Sequence, residues 1–231
     1  MGALFDDELK KLKGHFMEMG FDSSEQIYQA TKSFIDHDKD LARKIVAEDP
    51  KINNEEMDLE KQSLQLIALQ QPVASDFRQI ISILKASTDI ERIGDHANTI
   101  ARETINAKGH ERIPAVEKVI SEMTEQVRTM LEQVLEAFFE GNAAEAKKIA
   151  DQDESIDKYY HSTRKLVTES LKKNSQTAQA ALSYLMAIRL LERIGDHVVN
   201  LAEWLVYNQT GKMVELSHST NHEEEYFENG Q

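Results

Sequence analysis

The hexapeptide "ERIGDH" occupies Glu91–His96 and recurs, letter for letter, at Glu192–His197. The two copies begin 101 residues apart (192 − 91), about the length of one small domain. Weaker likeness surrounds them. "KIVAEDPKIN" (Lys44–Asn53) parallels "KIADQDESID" (Lys148–Asp157) at an offset of 104 residues. Both pieces keep their order in each half, which points to a duplicated unit rather than to chance.

The residues around each hexapeptide have a helical period. In the first copy, Val73, Phe77, Ile80 and Leu84 form a line that leads to Glu91 and Asp95. A second line runs through Ile83, Ala86, Ile90, Ile93, Ala97 and Ile100. In the second copy, Leu185 and Ile188 lead to Glu192, Asp196 and Val199. Beside them run Ala187, Leu191, Ile194, Val198, Leu201 and Leu205. Each pair of acids therefore interrupts an apolar stripe at the same place. Phe77 and Trp204 are expected in the core. Each half predicts three helices: roughly 4–36, 38–70 and 72–107, then 112–140, 142–173 and 177–208. Pro72 is placed in a first helical turn, where its missing N–H costs nothing. Pro50 is expected to kink or restart the second helix, and Gly211 to stop the last one.

Composition agrees with an all-α chain. Of 231 residues, 40% are apolar, and only 3 Pro and 9 Gly interrupt them. With no Cys, there is no disulfide, thiolate ligand or cysteine nucleophile. No apolar run reaches the roughly 18 residues that span a bilayer. The opening "MGALFDDELKKLK" is charged from the start, unlike a signal peptide, so a cytoplasmic location is expected. A net charge of −14 opposes nucleic-acid binding and suits cations.

The repeated acids carry the chemistry. Glu and Asp at i, i+4 share a helix face and repel, by about 0.2–0.5 kcal/mol. The glycine at 94 or 195 costs about 1 kcal/mol more relative to Ala. A bound cation would offset both, because paired carboxylates are hard oxygen ligands. A glycine beside them lets a neighbouring helix come close. Each half offers a second pair upstream: Asp49 with Asn53, and Asp153 with Asp157. If the second and third helices pack side by side, each half gains a cage of about four side chains. The second cage has four acids. The first has three acids and Asn53, so we expect the second to bind more tightly, and Asp196→Asn to lose more metal than Asp95→Asn. His96 and His197 stand at i+5 from the glutamates and point away. A solvated face with Arg92 and Arg193 as ion-pair partners is the plainer reading, and the doubling of both acid pairs weighs against it. Di-iron bundle oxidases carry Glu-x-x-His, which neither copy has; it occurs here at Glu215–His218. No P-loop, nucleophile elbow or dinucleotide fingerprint is present. We therefore expect a non-enzyme, the alternative being a metal-dependent or metal-storing bundle protein. Oxygen ligands alone would accept Mg, Ca or Mn as well as iron or zinc.

The stretches "LIALQQPVASDFRQIISILKASTDIERIGDHANTIAR" and "LMAIRLLERIGDHVVNLAEWLVYNQTG", with the opening "FDDELKKLKGHFMEMG", resemble the PhoU family across residues 4–212. The resemblance implies an all-α fold of two tandem, duplicated three-helix bundles. We place these at 1–109 and 110–213, ahead of an acidic tail at 214–231 read as disordered. It implies multinuclear iron or zinc clusters, held here by Asp49, Glu91 and Asp95, and by Asp153, Asp157, Glu192 and Asp196. It also implies negative regulation of high-affinity phosphate uptake and of the phosphate-starvation response. The implied partners are the ATPase subunit of the phosphate ABC transporter and a sensor histidine kinase. Membrane association would come only through them, and the chain itself would form a homodimer.

Overall fold

The computed structural model describes residues 3–107 and 112–216. Helices α1 (Ala3–Asp36), α2 (Lys39–Glu48), α3 (Pro50–Gln70) and α4 (Ala74–Ala107) form the first half. Helices α5 (Pro114–Glu140), α6 (Ala146–Ala150), α7 (Asp153–Lys173) and α8 (Ala178–Thr210) form the second. The expected second helix is thus two pieces in each half. Pro50 restarts α3 at its first turn, where its missing N–H is no loss. The matching break before α7, at Asp151–Gln152, has no proline to announce it.

Pro72 does not sit in the first turn of α4, as expected. Gln71 takes a left-handed φ of 48° and returns its N–H to the Ile67 carbonyl, which closes α3. Pro72 follows that cap, a common position for proline, and α4 begins at Ala74. Gly211 stops α8 as anticipated, with a φ of 70° that suits glycine and its N–H on the Tyr207 carbonyl at 2.8 Å. Residues 214–216 follow α8 without helix, and the Leu216 N–H reaches Glu203 Oε1 at 2.7 Å. The expected disordered tail lies, from 217 on, outside the described residues.

The fold is two three-helix bundles, the broken helix counting as one in each. The four long helices form the centre: α4 packs on α8 and α1, and α5 packs on α1 and α8. The pair α2/α3 flanks α1 and α4, and α6/α7 flanks α5 and α8. Of the two lines on α4, the second is the core: Ile83, Ala86, Ile90, Ile93, Ala97 and Ile100 are fully buried. The first line runs out to the surface. Val73 and Phe77 are exposed, Phe77 at 40%. Trp204 is half-buried rather than core.

Among the contacts that join the halves outside the α4–α8 packing, two stand out. Phe16 stacks on Phe138 with ring centroids 5.0 Å apart, and Gly20 lets α1 close on Leu135 of α5. A Cβ at Gly20 would lie 2.5 Å from Leu135 Cδ1 and 3.1 Å from its Cγ. Gly20→Ala is therefore expected to lower stability by about 1–3 kcal/mol through overpacking. Urea unfolding checks this, and an unchanged midpoint would show that Leu135 has room to turn away.

The second contact is polar. The buried Glu117 carboxylate accepts from Arg112 Nε on Oε1 and Nη2 on Oε2, both at 2.8 Å. The Tyr184 hydroxyl donates to Oε1 at 2.6 Å, and His37 Nε2 stands 3.5 Å away. Arg112 also donates to the Ile35 carbonyl, and Tyr184 accepts from the Ile113 N–H. One carboxylate thus gathers the end of α1, the start of α5 and the N-terminal turns of α8.

Candidate functional site: two carboxylate seams

Both hexapeptides lie mid-helix, on α4 and α8, and each divides its six residues among three faces. The isoleucine and glycine face inward: Ile93, Gly94, Ile194 and Gly195 are buried. A Cβ on Gly94 would stand 3.1 Å from Gln26 Oε1 and 3.2 Å from Ile52 Cγ2. A Cβ on Gly195 would collide with Asp153 Oδ1 and touch Ile156. The glycines therefore admit the neighbouring helices α1 and α3, or α7, at the level of the acids. This close approach answers why a helix-weakening residue stands there twice.

The acids face the flanking helix. In the second half, Asp153 at the start of α7 meets α8 beside Gly195, and both Asp153 and Glu192 are buried. Burial, then the charges of Asp157, Asp196 and Glu192, push the Asp153 carboxyl up to about 8. Burial and Asp196 push Glu192 up to about 7, with Arg189 holding it back. Burial and Asp157 raise Asp196 as well. All four expected acids of this half therefore feel one another across the α7–α8 seam. Asp153 Oδ1 and Glu192 Oε2 are buried with no hydrogen-bond partner, an arrangement that costs about 1–3 kcal/mol per group unless something binds it.

The first half is more open. Burial, then Asp95, Glu56 and Asp49, raise the Glu91 carboxyl, while Arg92 opposes them. Arg92 Nη1 donates to Asp95 Oδ2 at 3.3 Å and its Nε lies 3.6 Å from Glu91 Oε2. Asp49 and Asp95 are thus both near enough to act on the Glu91 carboxyl. Asn53 shares their helix face on α3, one turn on from Asp49. Glu56 is the group that the sequence reading missed. It sits at i+3 from Asn53, and Thr88 Oγ1 donates to its Oε1 at 3.3 Å. The signal was available: at the offset of 104, Glu56 pairs with Tyr160 and so breaks the repeat.

The donor set suits a hard cation in both seams. Carboxylates supply it, and the second seam holds two buried oxygens without a proton donor. Among the described residues, no three His, Asp or Glu side chains already converge closely enough to grip one ion, so a cage would be closed by side-chain rotation.

The histidines take the third face, away from the acids, as their spacing indicated. His96 and His197 meet across the α4–α8 contact with ring centroids 5.4 Å apart. Burial, then His197, Arg193 and Arg92, push the His96 ring down to about 4. His197 Nδ1 lies 2.9 Å from Asp89 Oδ1, which also accepts from Asn200 Nδ2 at 3.0 Å. Asp89 Oδ2 accepts from Trp204 Nε1 at 3.2 Å. One aspartate of α4 thus holds three side chains of α8. Trp204 was read as core, but its indole N–H is committed to this contact.

The PhoU domain profile matches residues 16–104 and 120–205. The phosphate-specific transport system accessory protein PhoU homolog of Streptococcus pneumoniae is 35% identical over 213 residues, 92% of this chain and 98% of that protein. Its counterpart in Pseudomonas putida is 34% identical over 203 residues, 88% of this chain and 79% of that one. The crystal structure of the phosphate transport system regulatory protein PhoU from Streptococcus pneumoniae superposes with a TM-score of 0.85 at 34% identity, covering 91% of this chain and 99% of that one. PhoU from Pseudomonas aeruginosa gives 0.84 at 32% identity, covering 90% of this chain and all of that one. With two profile matches over most of its length and relatives above 30% identity across 88% and 92% of it, this chain belongs to the PhoU family.

Proposed function

We propose that this chain is a non-catalytic regulator that dampens high-affinity phosphate uptake and the phosphate-starvation response. In this reading it is a metal-binding adaptor between the ATPase subunit of the phosphate ABC transporter and a sensor histidine kinase. It acts as a homodimer at the cytoplasmic side of the membrane, reached through those partners; no helix among the described residues is long and apolar enough to cross a bilayer. The observation that carries this is the near full-length match to proteins named as accessory to phosphate-specific transport. The absence of a nucleophile or cofactor motif beside the acids agrees with a regulator.

Asp49, Glu91 and Asp95 would hold the cation of the first seam, and Asp153, Asp157, Glu192 and Asp196 that of the second. A bound divalent or trivalent ion supplies the positive charge that lets buried carboxylates stay ionised. The residues themselves fix α3 against α4 and α7 against α8, which sets the shape a partner meets. Deleting the gene is expected to raise phosphate uptake and starvation-gene expression in phosphate-rich medium. Unchanged uptake and expression would remove the chain from this pathway.

A further inference from the structure

The chain turns at Gly211 and comes back along α8. The Lys212 N–H donates to Thr210 Oγ1 at 3.1 Å, and four residues later the Leu216 N–H donates to Glu203 Oε1 at 2.7 Å. Leu216 also packs on the edge of the core. Ahead of it on α8 lies a stripe spaced by three, four or seven residues: Glu203, Asn200, Arg193, Arg189, Met186 and Leu182. Such spacing puts them on one helix face, and each is exposed or half-buried. Leu182 is 70% exposed and Met186 45%. Arg193 is exposed too and makes no ion pair among the described residues. The carboxylates of Glu192 and Asp196 feel its charge from farther off.

We propose that residues 217–228 continue along this stripe as an intramolecular strap, their acids on the two arginines and their aromatic pair on Met186 and Leu182. These residues lie beyond the profile match, which ends at 205. Length and order carry the assignment. From Glu203 to Gln179, α8 covers about 36 Å at 1.5 Å per residue. An extended strand covers that in about 11 residues at 3.3 Å each, which sets residue 227 at Gln179. On the same scale Ser219 passes Asp196, Glu223 arrives at Arg189, one turn from Arg193, and Tyr226 arrives at Leu182. The chemistry follows the same order. Residues 217–221, SHSTN, bear no carboxylate where the stripe is flanked by Asp196. Glu223, Glu224 and Glu225 come where the arginines are, and Tyr226 and Phe227 where the exposed apolar side chains are. The strap covers Arg193, the arginine of the second hexapeptide, and screens it from any other anionic surface.

The test uses the full-length chain, whose lack of cysteine leaves two introduced thiols as the only ones. Glu228→Cys is paired with Gln179→Cys at the far end of the stripe, or with Phe139→Cys on α5. Both helix positions are exposed. Phe139 stands near the end of α8, since Gly141 lies against Gln209, so a tail without a seat reaches it as readily. Disulfide formation under a mild oxidant is followed on non-reducing gels at dilute protein. Each rate is divided by the reactivity of the helix thiol toward a free reagent. The Gln179 pair is expected to close about tenfold faster than the Phe139 pair, because docking raises the local concentration of one thiol at the other. Arg193→Glu slows it about fivefold, as one exposed ion pair turned repulsive does, and adding Glu223→Lys restores the rate. Equal rates for the two pairs overturn the strap. So does closure of the Gln179 pair that ignores Arg193→Glu, or that Glu223→Lys fails to rescue. Closure that rises with protein concentration and yields disulfide-linked dimers gives the face to a second copy, and overturns the strap too.

Discussion

Replacing Asp89 with Ala is expected to cost about 3 kcal/mol and to lower the melting temperature by about 6–12 °C. The carboxylate accepts from His197, Asn200 and Trp204 and is only 15% exposed. Removing it deprives three donors on α8 of one shared acceptor. Unsatisfied donors at a helix contact cost more than the hydrogen bonds themselves contributed. Asp89→Asn keeps the shape but offers one carbonyl oxygen instead of two, so a smaller loss is expected. Trp204 is the sole tryptophan of the chain, so its emission reports this contact directly. Freed of Asp89, the indole meets water and its emission moves to the red. If Asp89→Ala melts within about 2 °C of wild type with unchanged emission, the aspartate does not hold α4 to α8.

Glu117→Gln is the second large effect, of about 2 kcal/mol at neutral pH. Burial alone would raise this carboxyl. The hydrogen bonds from Arg112 and Tyr184, the Arg112 charge and the His37 contact overcome burial and leave it below the usual glutamate value. A carboxyl with a lowered folded-state pKa contributes stability that is present above its unfolded pKa of about 4.5. That contribution is lost as pH falls through the folded value. The wild-type and Glu117→Gln chains should therefore differ by a constant amount from about pH 7 to pH 5, and converge below that. The loss stays in the lower part of the range for charge-assisted hydrogen bonds because Arg112 is itself half-exposed and screened by water. Urea midpoints at several pH values settle the matter. A gap that persists undiminished at pH 3 would show that the amide fails for reasons of fit rather than charge.

The helices were legible because their core stripes are long and strictly periodic, as Ile83 to Ile100 illustrate. Pro50 and Gly211 marked ends by removing a donor or by tolerating positive φ. The break before Asp153 was not legible, since nothing between Lys148 and Asp153 forbids a helix. Val73 and Phe77 have core-like spacing yet lie exposed, one just before α4 and one in its first turn; period alone does not say which residues a bundle covers. The repeated acids were legible through repetition itself. Glu56 was passed over because it lies where the two halves differ, and a reading built on sameness ignores the break that marks it. Asp89 was missed for the same reason: its counterpart at the offset of 101 is Leu190.

The α4–α8 contact places the two hexapeptides against each other, His96 to His197, with their halves joined in one polypeptide. In thermodynamic terms it is a dimer interface that dilution cannot reach. Two separate half-chains would meet only in proportion to their concentrations, whereas a short covalent link holds them at an effective concentration in the millimolar range. The contact can therefore be weak enough to loosen and still always re-form. A protein that must change shape when a partner or an ion arrives can draw on that freedom at any abundance in the cell.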